Sequence, residues 1–155
     1  IYIPEEGLVT QNFELEPESC FFDAAASGSA VEADLDVYRK VRKLLVGGSP
    51  LAERLLQFYQ EHTAEVSAIL LYDQTLRAEV RSVISRVAPI VQSIVEGEDL
   101  DRPVLSNEDE VEINALLDRI ELIASPELKD AIQGIRIDIR TFQDMKVGEV
   151  RSLLR

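Results

Sequence analysis

The sequence has few of the residues on which enzyme and metal sites are commonly built. Its 155 residues include one cysteine, one histidine, one methionine and no tryptophan. A zinc site of the Cys₂His₂ or His₃ type needs more of these ligands than the chain contains. The sequence also lacks the GxxxxGK[ST] and GxGxxG patterns of nucleotide-binding loops. We therefore expect no metal and no cofactor.

Long apolar runs and positive charge are also scarce. Hydrophobic residues make up 46% of the chain, but no segment approaches the ~18 uninterrupted apolar residues of a membrane span. The 29 acidic side chains outnumber the 16 basic ones, which gives a formal net charge of −13. Such a charge repels phosphate backbones. We expect a protein partner, no nucleic acid and no membrane span in this chain.

The first 19 residues differ from the rest of the chain. Apolar residues alternate loosely there with polar ones, and Pro4, Gly7 and Pro17 interrupt the pattern. Proline and glycine at these intervals are unfavourable in a helix, whereas an extended segment tolerates them. Residues 1–19 are therefore predicted to form an extended acidic arm.

After Ser29 the apolar residues recur about every 3.6 residues, which predicts helices. The first helix is expected to stop at Gly47 and Gly48. A residue with a short polar side chain precedes most later helices and predicts their N-caps. These expected caps are Ser49, Thr63, Asp73 and Ser106, and Ser125 with Pro126 is expected to break and restart the chain.

The clearest apolar stripe follows Asp73. It includes Val80, Val83, Val87 and Ile90, and we expect this face to lie at the centre of a bundle. Residues 97–106 read as a linker, and residues 107–143 as a helical hairpin broken at Ser125. The fold class predicted is an all-α helical bundle with an extended N-terminal arm and a C-terminal αα-hairpin.

Cys20 and His62 are the only weak candidates for catalytic residues. A Cys20–His62 dyad is conceivable because residues distant in sequence can meet in a fold. His62, however, falls on an apolar stripe near the expected end of a helix, where a half-buried structural histidine is the usual finding. Cys20 itself has three interpretations: a small buried hydrophobic residue, a partner in an intermolecular disulfide, or a modification site.

The segment around Cys20 resembles the head motif of the CFI-box C-terminal domain family, whose pattern runs approximately CFIATAAYGS. The chain matches it at Cys20, Phe21, Ala25, Ala26, Gly28 and Ser29. A weaker likeness continues to about residue 95. The resemblance implies a helical region over residues 20–96. The acidic region 97–155 departs from the family, and its apolar stripes predict a helical hairpin that packs on residues 20–96. It also implies an exported or cell-surface bacterial protein.

Three functions remain open on the sequence alone. The favoured one is a non-enzymatic interaction or attachment module. The second is an enzyme or a covalent-modification site centred on Cys20, with His62 as the base. The third is a ligand-binding helical bundle, which a large apolar cavity without Cys20 and His62 would favour.

Overall fold

A computed structural model describes residues 24–25 and 34–155 of the chain, and this part contains helices and no strand. The predicted all-α fold class is confirmed. The arm predicted for residues 1–19 lies outside the described residues. The helices are α1 (Leu35–Leu45), α2 (Pro50–Tyr72), α3 (Gln74–Glu96), α4 (Asn107–Glu121), α5 (Pro126–Phe142) and α6 (Val147–Leu154).

Three of the predicted N-caps are confirmed, and Ser125, predicted as a chain break, caps a fourth helix. The side-chain oxygen of each cap accepts a hydrogen bond from the amide three residues later, at 2.9 to 3.3 Å. These caps begin α2, α3, α4 and α5, and they are Ser49, Asp73, Ser106 and Ser125. Because a cap satisfies an amide that has no partner within its helix, each one fixes where its helix starts.

The helix break predicted at Thr63 is wrong. Helix α2 runs without interruption from Pro50 to Tyr72. The hydroxyl of Thr63 donates to the carbonyl oxygen of Tyr59, one turn earlier. Threonine can satisfy its hydroxyl in this way inside a helix, so its presence in the sequence does not mark a cap.

Helix α3 is the central helix of the bundle, since it packs against α1, α2, α4 and α6. Its predicted apolar stripe faces the core, although Val80, Val83 and Val87 are only half-buried. The fully buried part of the stripe lies beside them, at Leu76, Ile84, Ala88, Ile90 and Ile94. Helix α5 packs mainly on α4, so that α4 and α5 form the expected hairpin.

The core divides into two apolar clusters. The first joins α2, α3, α4 and α5 and includes the fully buried Ala25. The carbonyl oxygen of Ala25 accepts hydrogen bonds from Arg77 and Arg81 of α3. The second cluster is covered by α6, whose Val147, Val150 and Leu154 pack against the opposite end of α3.

Backbone hydrogen bonds link the segment 97–106 to the residues just before α6 and to the first residue of α6. The amide of Val104 donates to Met145 O at 3.0 Å, and the amide of Val147 donates to Arg102 O at 2.9 Å. These bonds hold the connection between α3 and α4 against the second cluster. In the described part of the chain, none of the helices is long and apolar enough to cross a membrane.

Candidate functional site

A cavity of about 340 Å³, partly open to solvent, lies among the helices at the side where α5 leaves space beside α2. It is more than twice the volume of an apolar cavity that binds benzene. Only side chains of apolar and aromatic residues line it. We call it the inner cavity, and its lining is Tyr38, Phe58, Val66, Val83, Ile84, Val87, Ile113, Leu117, Ile120, Leu128, Ile132 and Ile135.

Five helices supply this lining. On α3, α4 and α5 its members recur mainly three or four residues apart, whereas α1 contributes Tyr38 alone and α2 contributes Phe58 and Val66. Side chains three or four apart share one face of a helix, so α3, α4 and α5 each present a short apolar stripe to the same space. Helix α3, for example, contributes Val83 and Val87, and α4 contributes Ile113 and Leu117. These stripes face one another without filling the space between them, and that space is the inner cavity.

Tyr38 is the one lining residue with a polar group in its side chain, and that group has a partner. Its hydroxyl donates to the carbonyl oxygen of Ile84 at 2.7 Å. Burial raises the pKa of Tyr38, and the nearby Asp34 carboxylate raises it further. The phenol therefore stays protonated and uncharged, and the inner cavity has no ionised lining residue.

A second cavity of about 360 Å³ adjoins the first, between α2 and α5, and we call it the outer cavity. Phe58 and Ile135 line both cavities and so form their common wall. The rest of the outer lining combines charged or polar residues with apolar ones and comprises Arg54, Gln57, Glu61, His62, Ala131, Gly134, Ile137 and Asp138.

The polar groups of the outer cavity are arranged around two carboxylates. Arg54 Nη2 lies 3.4 Å from Asp138 Oδ1, and Gln57 Nε2 donates to Glu61 Oε1 at 2.7 Å. The Asp138 side chain is 15% exposed, whereas that of Arg54 is 61% exposed. Glu61 and Asp138 contribute two negative charges to this lining, and Arg54 contributes one positive charge.

The candidate residues from the sequence fall in different places. Cys20 lies outside the described residues, as do Phe21, Ala26, Gly28 and Ser29 of the motif, while Ala25 is buried in the first cluster. His62 lies in the middle of α2, not near a helix end as predicted. It is half-buried in the outer cavity, and its ring centroid lies 5.2 Å from that of Phe58.

Metal binding finds no support in this region. Among the described residues, no group of three or more histidine, cysteine, aspartate or glutamate side chains is placed to hold a metal ion. The sequence alone does not identify the cavity linings as a site. Its apolar stripes indicate which residues face inward, but a stripe that lines a cavity has the same spacing as one that fills a core.

A separate apolar surface lies at one end of the bundle, where α2 and α4 end. We call it the end surface, and it consists of Leu71, Tyr72, Leu122 and Ile123, all of them exposed. Tyr72 is 89% exposed and Leu122 81% exposed. The two helix ends are joined by the ion pair of Arg119 with Asp73.

Comparisons of this chain with protein-family models, with curated proteins and with solved structures find no match. The resemblance to the CFI-box family therefore stays a hypothesis that rests on the quoted residues. Any functional conclusion has to come from the two cavities and the end surface.

Proposed function

We propose that this protein is a non-enzymatic helical bundle that binds an apolar guest in the inner cavity. The observation that carries the proposal is the volume of that cavity together with its apolar lining. Protein interiors are close-packed, and voids larger than a water molecule are few. A cavity of this size is within the range of volumes found for ligand pockets.

An unfilled apolar pocket is unfavourable for the protein. Because this pocket is partly open, its apolar lining contacts water, and each Å² of apolar surface left in water forgoes about 25 cal/mol of burial free energy. Water gains little there, because an apolar lining offers it too few hydrogen-bond partners. An apolar guest would restore the missing contacts, so binding and stability are expected to increase together.

The lining also supports binding over catalysis. Proton transfer needs an ionisable group within hydrogen-bond reach of the reacting atom. No side chain of the inner lining is ionised, and the hydroxyl of Tyr38 already donates to Ile84 O. Uptake of a guest through apolar contact is the property that this arrangement favours.

The test is a fluorescence titration of the full chain with N-phenyl-1-naphthylamine, an uncharged apolar probe. We expect one saturable site and a higher melting temperature when the probe is bound. Two matched variants locate the site: Val87→Phe, which enlarges a half-buried residue of the cavity lining, and Val111→Phe, which enlarges a residue that is 69% exposed.

The two variants separate cavity binding from general adhesion. Phenylalanine at 87 fills part of the cavity, so probe affinity is expected to fall about tenfold or more while the fold is kept. Phenylalanine at 111 is expected to leave the affinity unchanged. Equal affinities in the two variants, or no saturable binding by the unaltered chain, would refute the proposal.

The end surface favours a second candidate function, contact with a protein partner. Exposed apolar patches of this kind mark interaction sites when polar residues surround them. The surroundings are acidic, because carboxylates outnumber arginines two to one in the ion pairs there. Arg119 pairs with Asp73 and Glu79, and Arg136 pairs with Asp118 and Glu121. The partner of this candidate function therefore presents apolar side chains flanked by basic ones.

A photo-crosslinking residue placed at Tyr72 or at Leu122 tests this second candidate in cells that produce the full protein. Both positions are expected to label one and the same protein, and the exposed Ile137 serves as the control position. Purified partner should then lose affinity for Leu122→Lys but not for Ile137→Lys. The CFI-box resemblance adds the expectation that this contact occurs outside a bacterial cell.

A further inference from the structure

The two cavities together can accept a longer molecule than the inner one alone. Phe58 and Ile135 belong to both linings, so the two spaces adjoin at these side chains. A guest that extends past them would place one end among apolar side chains and the other beside charged ones. This geometry suits an amphipathic molecule.

Asp138 is the group best placed to meet the polar end. Its side chain is largely buried, and the contact with Arg54 Nη2, at 3.4 Å, is at the long limit of a hydrogen bond. A carboxylate can accept about four hydrogen bonds through its two oxygens. Arg54 is mostly solvated, so its attraction for Asp138 is weak and the carboxylate retains capacity to accept from a guest.

The charges of the outer cavity decide which polar end is favoured. Glu61 and Asp138 supply two carboxylates against the one guanidinium of Arg54, and the whole chain has a net charge of −13. A carboxylate or sulfate on the guest would meet repulsion there. A cationic donor would meet attraction, and in addition it would lie near the aromatic ring of Phe58.

We infer that the guest is an amphipathic amine, with an apolar body in the inner cavity and a protonated amino group beside Asp138 in the outer cavity. This inference rests on the proposed function, because it assumes that the inner cavity takes up an apolar guest. It adds the chemical class of the guest and the residue that selects it.

The experiment is displacement of bound N-phenyl-1-naphthylamine from the full chain by three molecules with the same ten-carbon body. These are decylamine, 1-decanol and decanoate, compared at neutral pH and constant ionic strength. A charge-assisted hydrogen bond to Asp138 predicts that decylamine binds about tenfold more tightly than decanol. Decanoate is expected to bind most weakly of the three.

Two variants on α5 separate a specific contact from the general attraction of an acidic protein for amines. Asp138→Asn and Asp130→Asn each remove one negative charge, but Asp130 is exposed and does not line either cavity. Asp138→Asn is expected to lower decylamine affinity about tenfold and to leave decanol affinity unchanged. Asp130→Asn is expected to change neither affinity.

Each remaining outcome overturns a different statement. If the probe binds but the three molecules show no preference, or both variants weaken decylamine equally, the amine inference is wrong and the proposed function survives. If the unaltered chain binds no probe at all, both are wrong.

Discussion

Arg119 of α4 donates from Nη2 to Oδ2 of Asp73 at 3.2 Å, and Asp73 is the single residue between α2 and α3. The other carboxylate oxygen of Asp73 accepts from the amide of Leu76 at 2.9 Å. This hydrogen bond, and then the charge of Arg119, lower the pKa of Asp73. One carboxylate therefore both starts the central helix and attaches the hairpin to it.

Replacement of Asp73 separates these two roles. Asp73→Asn keeps a cap for α3 but loses the charge, and Asp73→Ala loses both. Because an N-cap contributes about 1 kcal/mol, the alanine variant is expected to be less stable than the asparagine variant by roughly that amount. Urea denaturation measures the difference. Equal stabilities of the two variants would show that the cap contributes nothing.

Asp109 makes the stability of the protein depend on pH. Burial alone would raise the pKa of Asp109, but hydrogen bonds from the hydroxyl and amide of Ser106, together with Arg86, lower it below the ordinary 3.8. As the pH falls, the Asp109 carboxylate therefore becomes protonated at a higher pH in the unfolded chain than in the folded protein. The contribution to stability is complete above the unfolded pKa and is lost as the pH falls through the folded pKa.

We expect Asp109→Asn to be less stable than the unaltered chain at about pH 6 and to approach its stability at about pH 2. Urea denaturation across this range checks the sign. A stability difference that stays constant from neutral to acidic pH would mean that the charge of Asp109 is not what stabilises the start of α4.

Two buried serines are expected to respond in opposite directions to the same substitution. Ser67 Oγ is buried without a hydrogen-bond partner in the described part of the chain, whereas Ser93 Oγ donates to Pro89 O at 3.1 Å. Ser67→Ala removes an unsatisfied group and should raise the free energy of unfolding by about 1 kcal/mol. Ser93→Ala should lower it by a similar amount. Thermal denaturation of both variants decides, and loss of stability in Ser67→Ala would contradict this account.

Two glycines form a second matched pair. A Cβ at Gly48 would collide with the carbonyl oxygen of Leu154 and lie 2.9 Å from Ala52 Cβ, because α6 ends against this turn. A Cβ at Gly134 of α5 would meet nothing within 4 Å. We expect Gly48→Ala to lower stability by roughly 1–3 kcal/mol and Gly134→Ala to raise it by about 0.5–1 kcal/mol. The opposite order, measured by urea denaturation, would contradict the placement of α6.

Much of the fold follows from local sequence signals. The 3.6-residue spacing located the helices, and the short polar residues Ser49, Asp73, Ser106 and Ser125 each cap one of them. Thr63 has the same polar character, but its hydroxyl bonds back to Tyr59 within α2. Local sequence cannot distinguish these two uses of a hydroxyl, because the surrounding helix decides which one occurs.

The candidate site was less predictable. Val87 was expected at the centre of the bundle, and it instead lines the inner cavity, half-buried. The distance between α2 and α5 depends on how all the helices pack, and no single stripe contains that information. The contact between Asp138 and Arg54 could not be predicted either, because Arg54 lies 84 residues earlier in the chain.

The most direct test of the central claim is the nuclear Overhauser effect between a bound apolar molecule and methyl groups of the full chain. With N-phenyl-1-naphthylamine bound, we predict contacts to the methyl groups of Val83, Val87 and Leu117, which line the inner cavity. Contacts only to Leu122 and Ile123 of the exposed end surface would show that the probe binds outside the bundle, and would contradict the claim.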